Sequence, residues 1–218
     1  MFVTITIDHR KTRGGYIMSN TALLIVDVQN DFCLGGALAI PKGDEVVAPL
    51  NAIITHAEKN GWLIVASRDW HPPYTKHFKA WPPHGIQYSW GAEFHPDLKL
   101  CHYIFSKGTK PDEDGYSAFD GMFTIFDWNV NPIITPLSLL EFMPSDKFAE
   151  LYIGGLATDY CVKMTALDAI RHGFKTTILI DACRAVNVNP NDEDEAISEM
   201  QKAGVIISTT HEVLKINP

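Results

Sequence analysis

Four residues of this 218-residue chain have types that could do chemistry together: Asp27, Asp69, Lys107 and Cys161. The thiol lies in Gly154-Gly155-Leu156-Ala157-Thr158-Asp159-Tyr160-Cys161-Val162. A short apolar run precedes the glycines and a helix-period segment, about 158–172, follows them. Thr158 or Asp159 can cap that helix, because a short oxygen side chain accepts the orphan N–H bonds of a first turn. Cys161 then sits in the first turn, where unpaired N–H groups and the helix dipole favour an anion. Its thiol pKa should therefore fall, and the same N–H groups could receive an oxyanion. Alone, a free cysteine reads as a small buried apolar residue. Asp27 and Lys107 change the reading. An acid beside a thiol can act as general base and return the proton to a leaving amine. A nearby lysine keeps that acid ionised and can stabilise a thiolate or an oxyanion. Without the thiol, Asp27 and Lys107 would read as a structural ion pair.

A second group is Asp69-Trp70-His71, followed by His77 and by His84 after Trp81-Pro82-Pro83. In extended chain, residues two apart point the same way, so Asp69 and His71 can share one ion. Carboxylate and imidazole suit zinc, manganese or iron. A solvated His-rich loop is the plainer reading. His95 lies in the same stretch and could replace one ligand. His9, His56, His102, His172 and His211 have no such company. Asp181 and Cys183 suggest a structural role.

The elements that must position these groups are buried strands. The run 21–26, TALLIV, suits a strand covered on both faces, as in a parallel sheet. Further strands are predicted at 63–66, 103–105, 151–153, 176–180 and 205–207. Helices are predicted at 44–59, with Val46, Val47, Leu50, Ile53, Ile54 and Ala57 on one face, and at 137–143, 158–172 and 193–203. A final turn covers 212–215. Residues 68–100 show no period, and a stretch that long in a compact domain is usually functional. Residues 118–136 read as neither helix nor strand. The alternation predicts a doubly wound, mostly parallel α/β sheet with helices on both faces. In that architecture ligands bind outside the carboxyl ends of the strands. Asp27, Asp69, Lys107 and Cys161 each closely follow a predicted strand.

The net charge of −8 argues against nucleic acid or an anionic membrane as main partner. No apolar stretch reaches the length of a membrane-spanning helix. The four cysteines are widely spaced, without a Cys-x-x-Cys pair, and no signal-peptide core precedes residue 20. We expect a cytoplasmic chain with reduced thiols, as a monomer or homo-oligomer. A single domain is expected over 20–218, with 1–19 as a loose extension.

Together, Leu24-Ile25-Val26-Asp27-Val28-Gln29-Asn30-Asp31-Phe32, Asp69-Trp70-His71, Trp81-Pro82-Pro83-His84, Lys107-Gly108 and the Gly155–Val162 motif carry a resemblance. The chain resembles the nicotinamidase/pyrazinamidase group of the isochorismatase-like cysteine hydrolases over about 21–207. The resemblance implies Cys161 as nucleophile, Asp27 as general base and Lys107 as third member of a triad. It implies Asp69, His71, His77 and His84 around one divalent metal ion, zinc before iron or manganese, that holds the pyridine nitrogen of nicotinamide. It implies a cis Leu156–Ala157 peptide, with the N–H groups of Ala157 and Cys161 as oxyanion hole. Phe32 and Trp81 would pack on the ring, with Tyr116 and Tyr160 beside the substrate. The implied reaction is hydrolysis of nicotinamide, and of pyrazinamide, to the acid and ammonia through an acyl-enzyme, in NAD salvage. The acidic loop Asp112, Glu113, Asp114 and the long stretch 121–136 depart from the short form of the group, and both are expected near the pocket entrance. Two other readings stand beside this one. An isochorismatase-like or N-carbamoyl amide hydrolase would not need the histidines. A metal-binding or thiol-sensing module would release no ammonia.

Overall fold

A computed structural model describes residues 11–12, 15–16, 19–99, 103–126 and 130–216. The expected 1–19 extension therefore lies largely outside the described residues. Within it, β1 (Lys11–Thr12) pairs antiparallel with β2 (Gly15–Tyr16). His9, Cys101 and His102 also lie outside the described residues.

The remaining strands form one sheet of eight. They are β3 (Thr21–Val26), β4 (Leu63–Asp69), β5 (Tyr103–Lys107), β6 (Met122–Phe126), β7 (Pro132–Ser138), β8 (Glu150–Leu156), β9 (Lys175–Arg184) and β10 (Ile206–Ser208), in the order β10-β9-β8-β3-β4-β5-β6-β7. From β10 to β5 every neighbour is parallel, and β6 and β7 add antiparallel. The expected α/β architecture is therefore observed.

All six residues of β3 are buried because both faces are covered. Ala22, Leu24 and Val26 pack with Leu151, Ile153, Val162 and Ala166 on one side. Leu23 and Ile25 pack with Leu50, Ile53, Ile54 and Val213 on the other. The alternation follows from the two-residue period of a strand. Helix α1 (Val47–Lys59) supplies the second face and buries five of the six apolar residues expected of it, while the sixth, Val46, is buried in the tighter 3₁₀ turn formed by residues 43–46 before it. Helix α2 (Leu139–Phe142) is a single capped turn, shorter than its apolar pattern suggested. Helices α3 (Lys163–Arg171), α4 (Asp192–Lys202) and α5 (Thr210–Ile216) complete the layers. Asp181 accepts hydrogen bonds from the backbone and hydroxyl of Thr210, fixing the start of α5.

The stretch 118–136 resolves into a short turn at residues 118–120, strand β6 and the start of the edge strand β7. Successive strands run outward from β3 to β4 and β5, and the chain then returns to place β8 on the other side of β3. The crevice at this reversal is where such sheets bind ligands.

Candidate active site

Sheet register brings the strand-end residues together. Asp69 closes β4 directly opposite Lys107, the last residue of β5. Val26, at the end of β3, lies opposite Ser67 on one side and Gly155 on the other. Gly155 has φ +135°, and a Cβ there would come within 2.0 Å of the Val26 carbonyl oxygen. Asp27 follows with φ 50°. Its N–H donates to Ser67 O at 3.2 Å, and the Ser67 hydroxyl donates to Asp27 Oδ1 at 2.8 Å.

Lys107 is wholly buried. Its Nζ lies 2.8 Å from Asp27 Oδ2, 2.5 Å from Asp69 Oδ1 and 3.5 Å from Cys161 Sγ, and it donates to the Gly115 carbonyl at 2.7 Å. Burial alone would lower the lysine pKa, but the charges of Asp27 and Asp69 hold it well above its ordinary value. Asp69 is held well below the carboxylate range: Lys107 and the His71 and His84 contacts overcome the opposing effect of burial. Asp27 is raised, by burial and by Asp69, against the pull of Lys107.

Cys161 departs from expectation. Its thiol is raised well above the ordinary value, by burial first and by Asp27 and Asp69, with Lys107 opposing. Burial and the two carboxylates act against the lowering expected of the helix terminus. The local helix also differs. Residues Thr158–Val162 form a π-helical turn ahead of α3, and Ala157 occupies the cap position with no side-chain bond. Asp159 instead accepts the N–H groups of Val186 and Asn187 at 3.0 and 2.8 Å, and Thr158 Oγ1 is buried without a partner. The Leu156–Ala157 peptide is cis, in agreement with the resemblance.

Beside this cluster His71, His77 and His84 bring ring nitrogens within 4.8 Å of one another, and all three are buried. Their Nδ1 atoms are engaged outward: His71 with Gly108 O at 3.0 Å, His84 with Pro82 O at 2.7 Å and His77 with Asp114 Oδ1 at 3.4 Å. That leaves Nε2 of each imidazole for a shared ion, the arrangement in which outer partners orient metal-binding histidines. His71 Nε2 is buried with no hydrogen-bond partner, a cost that a bound cation would remove. Asp69 Oδ2 lies 3.7 Å from His71 Nε2 and 3.5 Å from His84 Nε2. Burial and the neighbouring His71 push His77 down to about 4, so it stays neutral. Burial opposes protonation of His84 too, but its contact with Asp69 outweighs this and raises its pKa. Three imidazoles and a carboxylate fit a divalent ion of the zinc, iron or manganese type. Gly108 permits the packing, because a Cβ there would lie 2.2 Å from His71 Cε1.

A pocket opens beside both clusters, with Asp69, His77, His84 and Cys161 in its wall. Phe32, Trp81, Tyr116 and Tyr160 all line it, as do Ala157 and Cys161. Trp81 Nε1 donates to the Tyr116 hydroxyl at 3.0 Å and packs edge-on against Tyr160. Asp114 also borders the pocket, but among the described residues none of 121–136 does, so that stretch is an edge extension of the sheet. His95 is no substitute ligand here: it pairs with Asp44 at 3.3 Å.

Sequence reasoning assigned no role to Gln29, Asp31 or Ser67. Gln29 acts as an artificial strand partner to residue 69: its Oε1 accepts Asp69 N–H at 2.7 Å and its Nε2 donates to Asp69 O at 2.9 Å. Asp31 accepts the N–H groups of Ala37 and Gly85, tying together two pocket loops. Their place in the run after β3 was the available signal.

The isochorismatase domain profile matches residues 21–212. A nicotinamidase of Escherichia coli is 41% identical over 213 residues, covering 88% of this chain and 96% of that protein. A nicotinamidase/pyrazinamidase of Mycobacterium tuberculosis is 35% identical, covering 84% of this chain and 96% of its own. The crystal structure of Pyrococcus horikoshii pyrazinamidase in complex with zinc superposes with a TM-score of 0.75 at 38% identity, over 88% of this chain and 99% of that one.

Proposed function

The chain belongs to the isochorismatase family, and on that premise we propose that it is a nicotinamidase, hydrolysing nicotinamide to nicotinate and ammonia through a thioester on Cys161. One juxtaposition carries the reading. The Cys161 thiol lines a pocket together with His77 and His84 of the three clustered imidazoles, and the buried Lys107 behind it contacts both that thiol, at 3.5 Å, and Asp27, at 2.8 Å. A family hydrolase of the N-carbamoyl type would need the first group and not the second.

A thiol whose pKa is held above its ordinary value needs a base. Asp27, raised by its buried setting, is matched to the task better than an ordinary carboxylate. Asp27 takes the proton as Sγ bonds to the amide carbon. Lys107 offsets the negative charge that this transfer moves among Sγ, Asp27 and Asp69. The N–H groups of Ala157 and Cys161 receive the carbonyl oxygen as it becomes an oxyanion. Collapse breaks the carbon–nitrogen bond, and Asp27 returns its proton so that ammonia leaves. Water then gives a proton to Asp27 and its oxygen to the acyl carbon. The carbon–sulfur bond breaks, nicotinic acid forms, and the proton on Asp27 restores the thiol. Asp69, His71, His77 and His84 would hold a divalent ion, zinc before iron or manganese, whose chemistry there is Lewis-acid binding of the ring nitrogen. Phe32, Trp81, Tyr116 and Tyr160 enclose a flat ring, and pyrazinamide shares the shape and the amide. The product serves pyridine-nucleotide salvage in the cytoplasm.

The test is ammonia release from nicotinamide and pyrazinamide by metal-loaded protein, beside Cys161→Ala. Turnover by the parent alone supports the proposal. A folded, loaded parent that releases no ammonia from either amide overturns it.

A further inference from the structure

We infer that Cys33, Asp44 and His95 form a second site for a divalent transition metal of the zinc, cobalt or cadmium type. One ligand atom from each lies within 4.8 Å of those of the other two. They come from three separate turns: Cys33 follows the 3₁₀ turn Asn30–Phe32, Asp44 lies in Gly43–Val46, and His95 follows Trp90–Ala92. Sulfur, nitrogen and oxygen donors from three protein groups, with a further position left to water, make a donor set that zinc and its analogues accept. No residue is shared with the His71, His77 and His84 group.

The parts around the cluster are already fixed. Leu34 N–H donates to Asp44 Oδ2 at 3.0 Å, which holds the carboxylate, while Oδ1 faces His95 Nε2 at 3.3 Å. The backbone N–H of His95 donates to Val28 O at 2.9 Å. Cys33 is buried, but the Asp44 side chain is 42% exposed and that of His95 15%, so an ion can enter from solvent. On binding, the Cys33 thiol loses its proton to solvent and a metal–sulfur bond forms. The ion takes Nε2 of His95, the ring's single proton shifts through solvent from Nε2 to Nδ1, and the contact from Asp97 N–H to Nδ1 is given up.

The site has a consequence for the pocket. Cys33 and Asp44 bracket a loop whose Leu38 and Ile40 line the pocket wall, and Phe32 stands against His84 at 5.3 Å between ring centres. A metal bridging Cys33 and Asp44 ties the two ends of that loop together. Because it binds the folded chain, it raises thermal stability with concentration.

The experiment counts metal. Protein stripped with chelator is reloaded with zinc or cadmium, dialysed and analysed for metal per chain. The parent should hold two ions, Cys33→Ser and His95→Gln one each, and His71→Ala should keep the second-site ion. The thiolate-to-cadmium absorption band should vanish in Cys33→Ser and persist in Cys161→Ser. His95→Gln serves where Cys33→Ser fails to fold. A parent whose metal count is unchanged by both Cys33→Ser and His95→Gln overturns the inference. Since His71→Ala is read separately, failure of this site is distinct from failure of the first.

Discussion

The two halves of the site are built by different means. Asp27, Asp69 and Lys107 stand at strand ends, where register sets their spacing: Asp69 is paired with Lys107, and Val26 with both Ser67 and Gly155. His71 starts the long loop after β4, His77 lies in the short 3₁₀ turn Lys76–Lys79 within it, and His84 in irregular chain beyond. Each is aimed by a single bond to an outer partner, Gly108 O, Asp114 or Pro82 O. Side chains held by backbone ladders are rigid and interdependent, whereas side chains held by one hydrogen bond can be loosened one at a time. Damage at the strand ends should therefore reach chemistry and fold, and damage in the loop should reach metal first.

The largest effect expected is on chemistry. Cys161→Ala should lower turnover by at least about 10⁴-fold, since loss of a nucleophile removes the covalent route. Its melting temperature should stay within a few degrees, because one small group is lost. Ammonia release and a thermal melt on the same sample check both halves. Residual turnover near the parent level would break the assignment of the nucleophile.

Lys107→Met comes next and tests the ladder itself. Removing the ammonium leaves the Asp27 and Asp69 carboxylates buried without their shared counter-charge. Stranding a buried charge costs about 3–5 kcal/mol, to be read as a fall in the urea midpoint at pH 7. A change below about 1 kcal/mol would mean that the strand-end cluster does not depend on its lysine.

The same division explains what the sequence disclosed. Short continuous apolar runs such as TALLIV, bounded by turn signals, suit strands covered on both faces, so the parallel sheet and the convergence of residues 27, 69, 107 and 161 were readable. The Asp-x-His pair was readable for its two-residue spacing. What orients the imidazoles was not, because Gly108 lies 37 residues from His71 and Asp114 37 from His77. The surroundings of the thiol were not readable for the same reason: burial and the facing acids are products of tertiary structure, and only the helix terminus is local. Strands β6 and β7 are not legible in the sequence because they are antiparallel strands of mixed burial at one end of the sheet, with no crossover helix to mark them.

Gly108→Ala sharpens the loop side of the comparison. With φ +61° and His71 Cε1 in the path of the new methyl, the His71 ring must move. Metal affinity should fall by about 10- to 100-fold, as when an outer partner of a ligand is lost. Lys107 and Asp27 should stay paired. Chelator competition reports the first effect, and the urea midpoint, lower by about 1–2 kcal/mol for a side chain in a left-handed turn, bounds the second.

Asp114→Asn should give the smallest change, because this acid is half-exposed and 3.4 Å from His77. Its effect is best seen in metal-free protein as a function of pH. The unfolded His77 imidazole gains its proton near 6.5, whereas in the folded chain burial and His71 push it down to about 4. Between those values the unfolded state binds more protons, so stability is highest above 6.5 and declines as pH falls toward 4. Asp114 partly offsets that decline, since its carboxylate favours the charged ring. Removing it lowers the folded pKa further. Above pH 7 the variant should differ from the parent only by a small constant offset from the lost exposed Lys76 pair, and it should lose more stability on acidification, by under about 1 kcal/mol given solvent screening. Urea midpoints from pH 7 to pH 4 measure the divergence. Parallel curves would mean that Asp114 does not hold His77, and the loop half of the site would then need another support.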